Sequence, residues 1–255
     1  MATTPHNLKA QGLPVDISPQ AFGRLAASTY DFTEVVSLRE RMTEEGYLYL
    51  PGLLDREAVL RARRAVTDRL SAAGHLDPAF PPLEAVARAD ANISFLPEMA
   101  QDNAELADVL YAGPMMDFFR HFFGGPVRHY DFTWFRAVAP GLGAPPHCDV
   151  PYMGRGTHNL YTAWTPVGDV DFVQGGLMVL ENSLQHANRL RRYFQKDVDS
   201  YCVNGQWAND IESGARQWGE FDGVLSRDPI KLRETLGGRW LTTEFSAGDV
   251  LIFSV

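Results

Sequence analysis

Residues 127–152 read VRHYDFTWFRAVAPGLGAPPHCDVPY, and the organisation of the chain turns on them. Between Val127 and Ala139, Phe132, Trp134 and Arg136 fall on one face of an extended segment, and Thr133, Phe135 and Ala137 on the other. An alternation of period two predicts a strand, with the Phe132 face toward a pocket. PGLGAPP at 140–146 then predicts a loop, because neither Pro nor Gly sustains a helix or a ladder. Further strands are predicted at 147–152, 159–167, 175–180, 239–245 and 249–254, separated by Gly154, Gly168-Asp169, Glu181-Asn182-Ser183 and Ala247-Gly248-Asp249. Short apolar runs parted by turn residues indicate an antiparallel sandwich or barrel.

Upstream of Pro126 the pattern is helical. A helix is predicted over 33–43, and Gly46–Leu54 (GYLYLPGLL) reads as a strand and turn. Asp55 is suited to cap a helix over Arg56–Ala73, where Val59, Leu60, Ala62, Val66 and Leu70 recur at helical spacing and Gly74 terminates. Helical stretches are also predicted at 83–89 and 103–123, the latter closed by Gly124-Gly125-Pro126, and residues 1–30 as an irregular arm. The expectation is one domain over 1–255: a helical part, 1–126, buttressing one face of a double sheet, 127–255. Residues 184–238, with Arg189, Arg191, Arg192, Tyr193, Trp207, Arg216 and Trp218, form a long segment between strands and predict a lid-like insertion. The apolar strand Val250–Val255 stops without a turn, so the natural protein is expected to continue by another strand or two.

A length of 255 residues suits one large domain, and 45% apolar with 22% charged residues is an ordinary globular balance. A net charge of −9 without a Lys/Arg block argues against nucleic acid and an anionic membrane surface as partners. No apolar run approaches the roughly 20 residues that span a bilayer. MATTPHNLKAQGLP lacks the apolar core of a signal peptide, and Cys148 and Cys202 make no disulfide framework, so a cytoplasmic protein is expected.

The chemistry is read from His-x-Asp. Two ligands at i and i+2 on a strand project to the same side and reach one ion, and a third completes the 2-His-1-carboxylate set that holds Fe(II) with open positions. The tripeptide occurs as His75-Leu76-Asp77, His129-Tyr130-Asp131 and His147-Cys148-Asp149. His75 follows a helix C-terminus and Asp77 precedes a proline, which indicates a structural pair. His129 and Asp131 alternate against the Phe132 face. His147 and Asp149 follow the Pro/Gly loop, at the mouth of a sheet, and are the predicted metal ligands. Cys148, pointing away, reads as a small buried hydrophobe.

The run PHCDVPYMGRG…NLYTAWTPVGDVDFVQGGLMVLENS, with GYLYLPGLLDREAVLRARRAV before it and RWLTTEFSAGDVLIFSV after it, resembles the phytanoyl-CoA dioxygenase family of Fe(II)- and 2-oxoglutarate-dependent oxygenases, over about residues 40–255. The resemblance implies a double-stranded β-helix (jelly-roll) core. It also implies Fe(II) on His147 and Asp149, O2 and a small organic substrate, and oxidative decarboxylation of 2-oxoglutarate to succinate and CO2 coupled to substrate oxidation. By the same resemblance Trp164 packs on 2-oxoglutarate, Thr162 hydrogen-bonds it, and Phe132 and Trp134 line the same pocket. Related halogenases carry Ala or Gly at the carboxylate position, so Asp149 implies hydroxylation or a similar oxidation. The family's second iron histidine and basic 2-oxoglutarate anchor follow the GDVLIF strand, so both are expected beyond Val255, with His158 and His186 as weaker candidates within the chain. The competing expectations are a metal-binding jelly roll without turnover and a cupin-like enzyme, whose usual His-x-His start is not found at 147–149.

Overall fold

The computed structural model describes residues 7–29, 35–157, 159–202, 205–217 and 220–255. The helices and strands alternate along the chain as β1 (Lys9–Ala10), β2 (Leu13–Pro14), β3 (Phe22–Arg24), α1 (Val35–Glu45), β4 (Tyr47–Leu50), α2 (Arg56–Ala72), α3 (Ala104–Tyr111), α4 (Gly113–Phe123), α5 (Val150–Met153), β5 (Tyr161–Trp164), β6 (Val179–Leu180), α6 (Ala208–Glu212), α7 (Pro229–Leu236), β7 (Trp240–Thr242) and β8 (Val250–Ser254). Among the described residues helix exceeds strand.

Two three-stranded sheets organise the core: β4-β8-β5, all antiparallel, and β3-β7-β6, where β3 runs parallel to β7. The period-two pattern of β8 decides what each face meets. Val250 and Ile252, with Leu48, Leu50 and Ala163 from the flanking strands, pack on Val59, Ala62 and Val66 of α2 and on Phe118 and Phe122 of α4. Leu251 and Phe253, with Tyr47, Tyr49 and Trp164, pack on Leu241, Phe245 and Val179 from the second sheet side. The first sheet is thus sandwiched between helices and the second sheet. β8 has a strand on each edge, with Ile252 opposite Leu48 on one side and Ala163 on the other.

The turn signals Gly-Asp act as ties. Asp249 is buried and accepts from Tyr49 Oη (2.8 Å), Gly52 N (2.9 Å) and Ser246 N (2.8 Å). Gly248 sits at φ +106, and a Cβ there would stand 2.7 Å from the Leu54 carbonyl oxygen, so only glycine fits. Asp169 takes both arms of Arg56 (2.6 and 2.8 Å) and the Ala247 amide (2.9 Å), fastening the start of α2 to the β7–β8 turn. Asp55 caps α2 through Ala58 N, as the sequence predicts.

Several elements differ from expectation. The arm at 1–30 enters the fold in its described part: Phe22–Arg24 pairs with β7, and Ala27 bridges to Tyr49. The 83–89 helix is only a 3-10 turn at Pro82–Glu84, because Asp77 N and Arg88 N bond across to Val86 O and His75 O. The 103–123 stretch is two helices, broken where Ala112 adopts an extended backbone. Val127–Ala139 joins no ladder; Leu96 N bonds to Phe135 O and Ala139 N to Ile93 O, while Phe135 N turns back to Thr133 O. The predicted strand at 147–152 is a bend followed by α5, since Asp149 has φ −79, ψ −18 and Pro151 near the start favours a helical first turn.

Candidate functional site

His147 and Asp149 meet although no strand carries them. Asp149 stands at the N-terminal boundary of α5, and the bend brings its Oδ1 to 3.4 Å from His147 Nε2. Each outer atom is tied back. His147 Nδ1 donates to the Pro145 carbonyl (2.7 Å), which leaves Nε2 as the atom that faces the carboxylate. Asp149 Oδ2 accepts from Thr162 Oγ1 at 2.5 Å. Thr162 projects from β5 on the face it shares with Trp164, so the pair opens onto the layer between the two sheets.

The electrostatics follow from this packing. Burial opposes the Asp149 carboxylate, yet the hydrogen bonds with His147 and from Thr162, and the nearby Arg136 charge, outweigh it, so its pKa falls below the ordinary value. The hydrogen bond with Asp149 raises His147 against burial and the Arg136 charge. Burial pushes the Cys148 thiol up to about 11, so it is an inert neutral group at pH 7.

The 184–238 segment holds the loop that bears the pair. Tyr193 Oη accepts from Cys148 N (2.8 Å) and donates to Gly223 O (2.8 Å). Pro146 O accepts from Leu225 N (2.9 Å) and Ser226 N (3.3 Å). Tyr152 sets its ring edge-on to His147, with centroids 6.0 Å apart, and Phe221 meets Tyr152 edge-to-face at 5.3 Å.

The other two His-x-Asp tripeptides serve locally. Asp77 accepts from Ala79 N in its turn. His129 stacks on Tyr111 (4.2 Å) and lies 4.0 Å from the fully exposed Asp131. Trp164 lies against Phe245 (4.7 Å) in the inter-sheet layer. Phe132 and Trp134 contact each other and stay 43% and 40% exposed. The structure therefore brings His147, Asp149 and Thr162 together, and gives the Thr162 hydroxyl to Asp149. Among the described residues no further His, Cys, Asp or Glu joins the pair, His186 included, and His158 and Trp218 lie outside them.

Sequence reasoning missed Tyr193 and Tyr152. Tyr193 sits in RLRRYFQ, where the neighbouring charges suggest a solvated helix face and hide a buried tether. Tyr152, five residues after His147, carried a usable signal: an aromatic close in sequence to the predicted ligand pair.

No family model matches the chain. Over 165 residues it is 29% identical to a 1-deoxypentalenic acid 11-beta-hydroxylase from Streptomyces exfoliatus, covering 60% of this chain and 57% of that protein. The match thus spans little more than half the length of that relative.

Proposed function

We propose that this chain is an oxygenase that hydroxylates, or otherwise oxidises, a small organic substrate, with Fe(II) held by His147 and Asp149 and 2-oxoglutarate as co-substrate. The observation that carries the reading is His147 Nε2 facing Asp149 Oδ1 at 3.4 Å while Nδ1 and Oδ2, the outer atoms, are engaged elsewhere. A shared proton joins the two atoms without metal and a cation can take its place, and one His with one Asp supplies two of the three ligands that favour non-haem iron. Similarity to a hydroxylase supports the reaction class. A jelly-roll core is the fold that accompanies this reading, supported by two sheets packed face to face with helices on the outer side of one.

When bound, Fe(II) with 2-oxoglutarate and O2 would supply the oxidising power for an otherwise inert C–H bond. The chain's own contribution is orientation and exclusion of water. Pro145 and Thr162 aim the two ligands, Tyr193 holds their loop, and the Tyr152 and Phe221 rings shield the His147 side. Trp164, two residues from Thr162 on the same strand and packed in the inter-sheet layer, would bound the co-substrate.

The test is an anaerobic titration of the intact gene product with Fe(II) and 2-oxoglutarate, read by the visible band of an iron-chelated 2-oxo acid. A band that disappears in His147→Ala supports the proposal. Metal binding without the band would replace it with a metal-binding protein that does not turn over.

A further inference from the structure

Residues 221–226 run beside the loop that bears His147 and Asp149 as a strap, and bonds tie the two on both sides of His147. Pro146 O, just before it, accepts from Leu225 N (2.9 Å) and Ser226 N (3.3 Å). Cys148, just after it, gives its N–H to Tyr193 Oη (2.8 Å), and that hydroxyl donates on to Gly223 O (2.8 Å). The His147 ring meets the strap as well, through Tyr152 at 6.0 Å and then Phe221 at 5.3 Å. Gly223 is where the strap backbone comes closest to Tyr152: a Cβ there would stand 2.3 Å from Tyr152 Cζ and 2.5 Å from its Oη, so a side chain at 223 would displace the ring. Close-packed contacts transmit displacement, and movement of the strap therefore reaches His147 through backbone and rings alike.

Lys196 holds the strap. Its ammonium donates to Asp222 O (2.8 Å) and Val224 O (3.3 Å) and lies 5.6 Å from the Tyr193 ring centre. With Gly223 O on Tyr193, three successive carbonyls are gathered by the single 193–196 turn, itself closed by Lys196 N on Tyr193 O (3.0 Å). The Asp222 side chain shapes the strap to suit, its Oδ1 accepting from Val224 N (3.2 Å) in the manner of an Asx turn. A charged donor makes a stronger hydrogen bond to a carbonyl than a neutral one does, so the ammonium is the principal tie.

We propose that Lys196 is a positioning residue for the His147–Asp149 pair. It touches neither residue of the pair: it holds the 222–224 turn, the turn fixes the strap, and the strap fixes the backbone on both sides of His147 and the rings beside it. Strap order and metal binding are then linked, and such linkage is reciprocal: an ordered strap favours the metal, and the metal favours the ordered strap. The proposal rests on the metal-binding reading of the pair and adds a remote control to it. It gives the 184–238 segment a part in building the metal site.

Hydrogen exchange over 221–226 and titration with Co(II), both on the intact gene product, test the link. In the unmodified protein Co(II) should slow exchange over 221–226, and in His147→Ala it should not; absence of slowing in the former, or slowing in the latter, would overturn the proposal. Lys196→Met keeps the apolar stem and removes the donors. It should speed exchange over 221–226 in the metal-free protein, leave the β4-β8-β5 amides protected, and weaken Co(II) binding by at least about fivefold. Lys196→Arg, which still donates to carbonyls, should restore most of both. Gly223→Ala, which disturbs the strap from the Tyr152 side, should also weaken Co(II) binding. Unchanged Co(II) affinity in Lys196→Met beside a loosened strap would reduce Lys196 to a structural clasp and overturn the positioning role. So would an Arg variant as weak as the Met variant, or faster exchange spread through β4-β8-β5. The iron and 2-oxoglutarate band, measured on the same samples, separates the two readings: strap protection by Co(II) without a band sinks only the oxygenase, and a band without strap protection sinks only the role of Lys196.

Discussion

Replacing Thr162 by Val keeps the side-chain volume and removes one hydroxyl, which isolates the bond to Asp149 Oδ2 at 2.5 Å. A hydrogen bond to a charged acceptor is worth about 1.5–3 kcal/mol. Two consequences oppose each other. Without the donor the carboxylate becomes more basic, because that bond is one cause of its lowered pKa, and a more basic oxygen binds cations more strongly. Without the donor the carboxylate also loses the contact that fixes its second oxygen and aims the first at His147. Losing an outer partner of a metal ligand typically costs about 10- to 100-fold in affinity, so orientation outweighs basicity. Thr162→Val should therefore weaken binding of Co(II), a coloured substitute for Fe(II), by about 10- to 100-fold in an anaerobic titration. Thr162→Ser should recover most of it, and the thermal midpoint should fall by several degrees in Thr162→Val and little in Thr162→Ser. Affinity in Thr162→Val equal to that of the wild type, or a Ser variant as weak as the Val variant, would refute the positioning role.

Asp249→Ala leaves Tyr49 Oη, Gly52 N and Ser246 N without their acceptor and should cost at least about 3 kcal/mol in urea unfolding, at about 1–3 kcal/mol for each stranded buried group. Tyr193→Phe frees Cys148 N and Gly223 O, and should speed amide hydrogen exchange at Cys148 and weaken metal binding while the β4-β8-β5 amides stay protected. The Asp169 carboxyl is held well below its ordinary value, first by the bond with Arg56. Its stabilising contribution is thus complete above the ordinary carboxylate range and disappears as pH falls through the depressed value. Asp169→Asn should therefore lower the thermal midpoint at pH 7 and leave it nearly unchanged in strong acid. The pair is exposed, so added salt should shrink the difference.

The parts legible in the sequence share a cause: local chemistry decided them. The α2 cap, the closing Gly74 and the apolar strand at 249–254 each depend on neighbouring residues, and each is found as read. The parts that failed depend on distant partners. The 83–89 segment lost its helix to hydrogen bonds with residues 75–77, and Phe22–Arg24 found a strand more than 200 residues away. Tyr193 became a tether because Cys148 and Gly223 happen to approach it from separate loops.

The His147–Asp149 pair is the instructive case, because its location and its rationale separate. His-x-Asp was chosen for a strand geometry that the chain does not adopt at 147–149. What survives is the requirement beneath that geometry: two side chains two residues apart must reach one point. A bend into α5 meets it as well as a strand does, provided something fixes the outer atoms. Pro145 and Thr162 do so here, one from the Pro/Gly loop and one from β5. The same holds for residues 130–136, which keep the alternation of a strand but leave its aromatic face open instead of feeding a sheet. Periodicity in a sequence therefore constrains which side chains share a side. Whether that side becomes core or binding surface is settled by what the rest of the chain brings against it. Here, among the described residues, it is the Phe95 ring, which lies against Phe132 and under the Arg136 guanidinium.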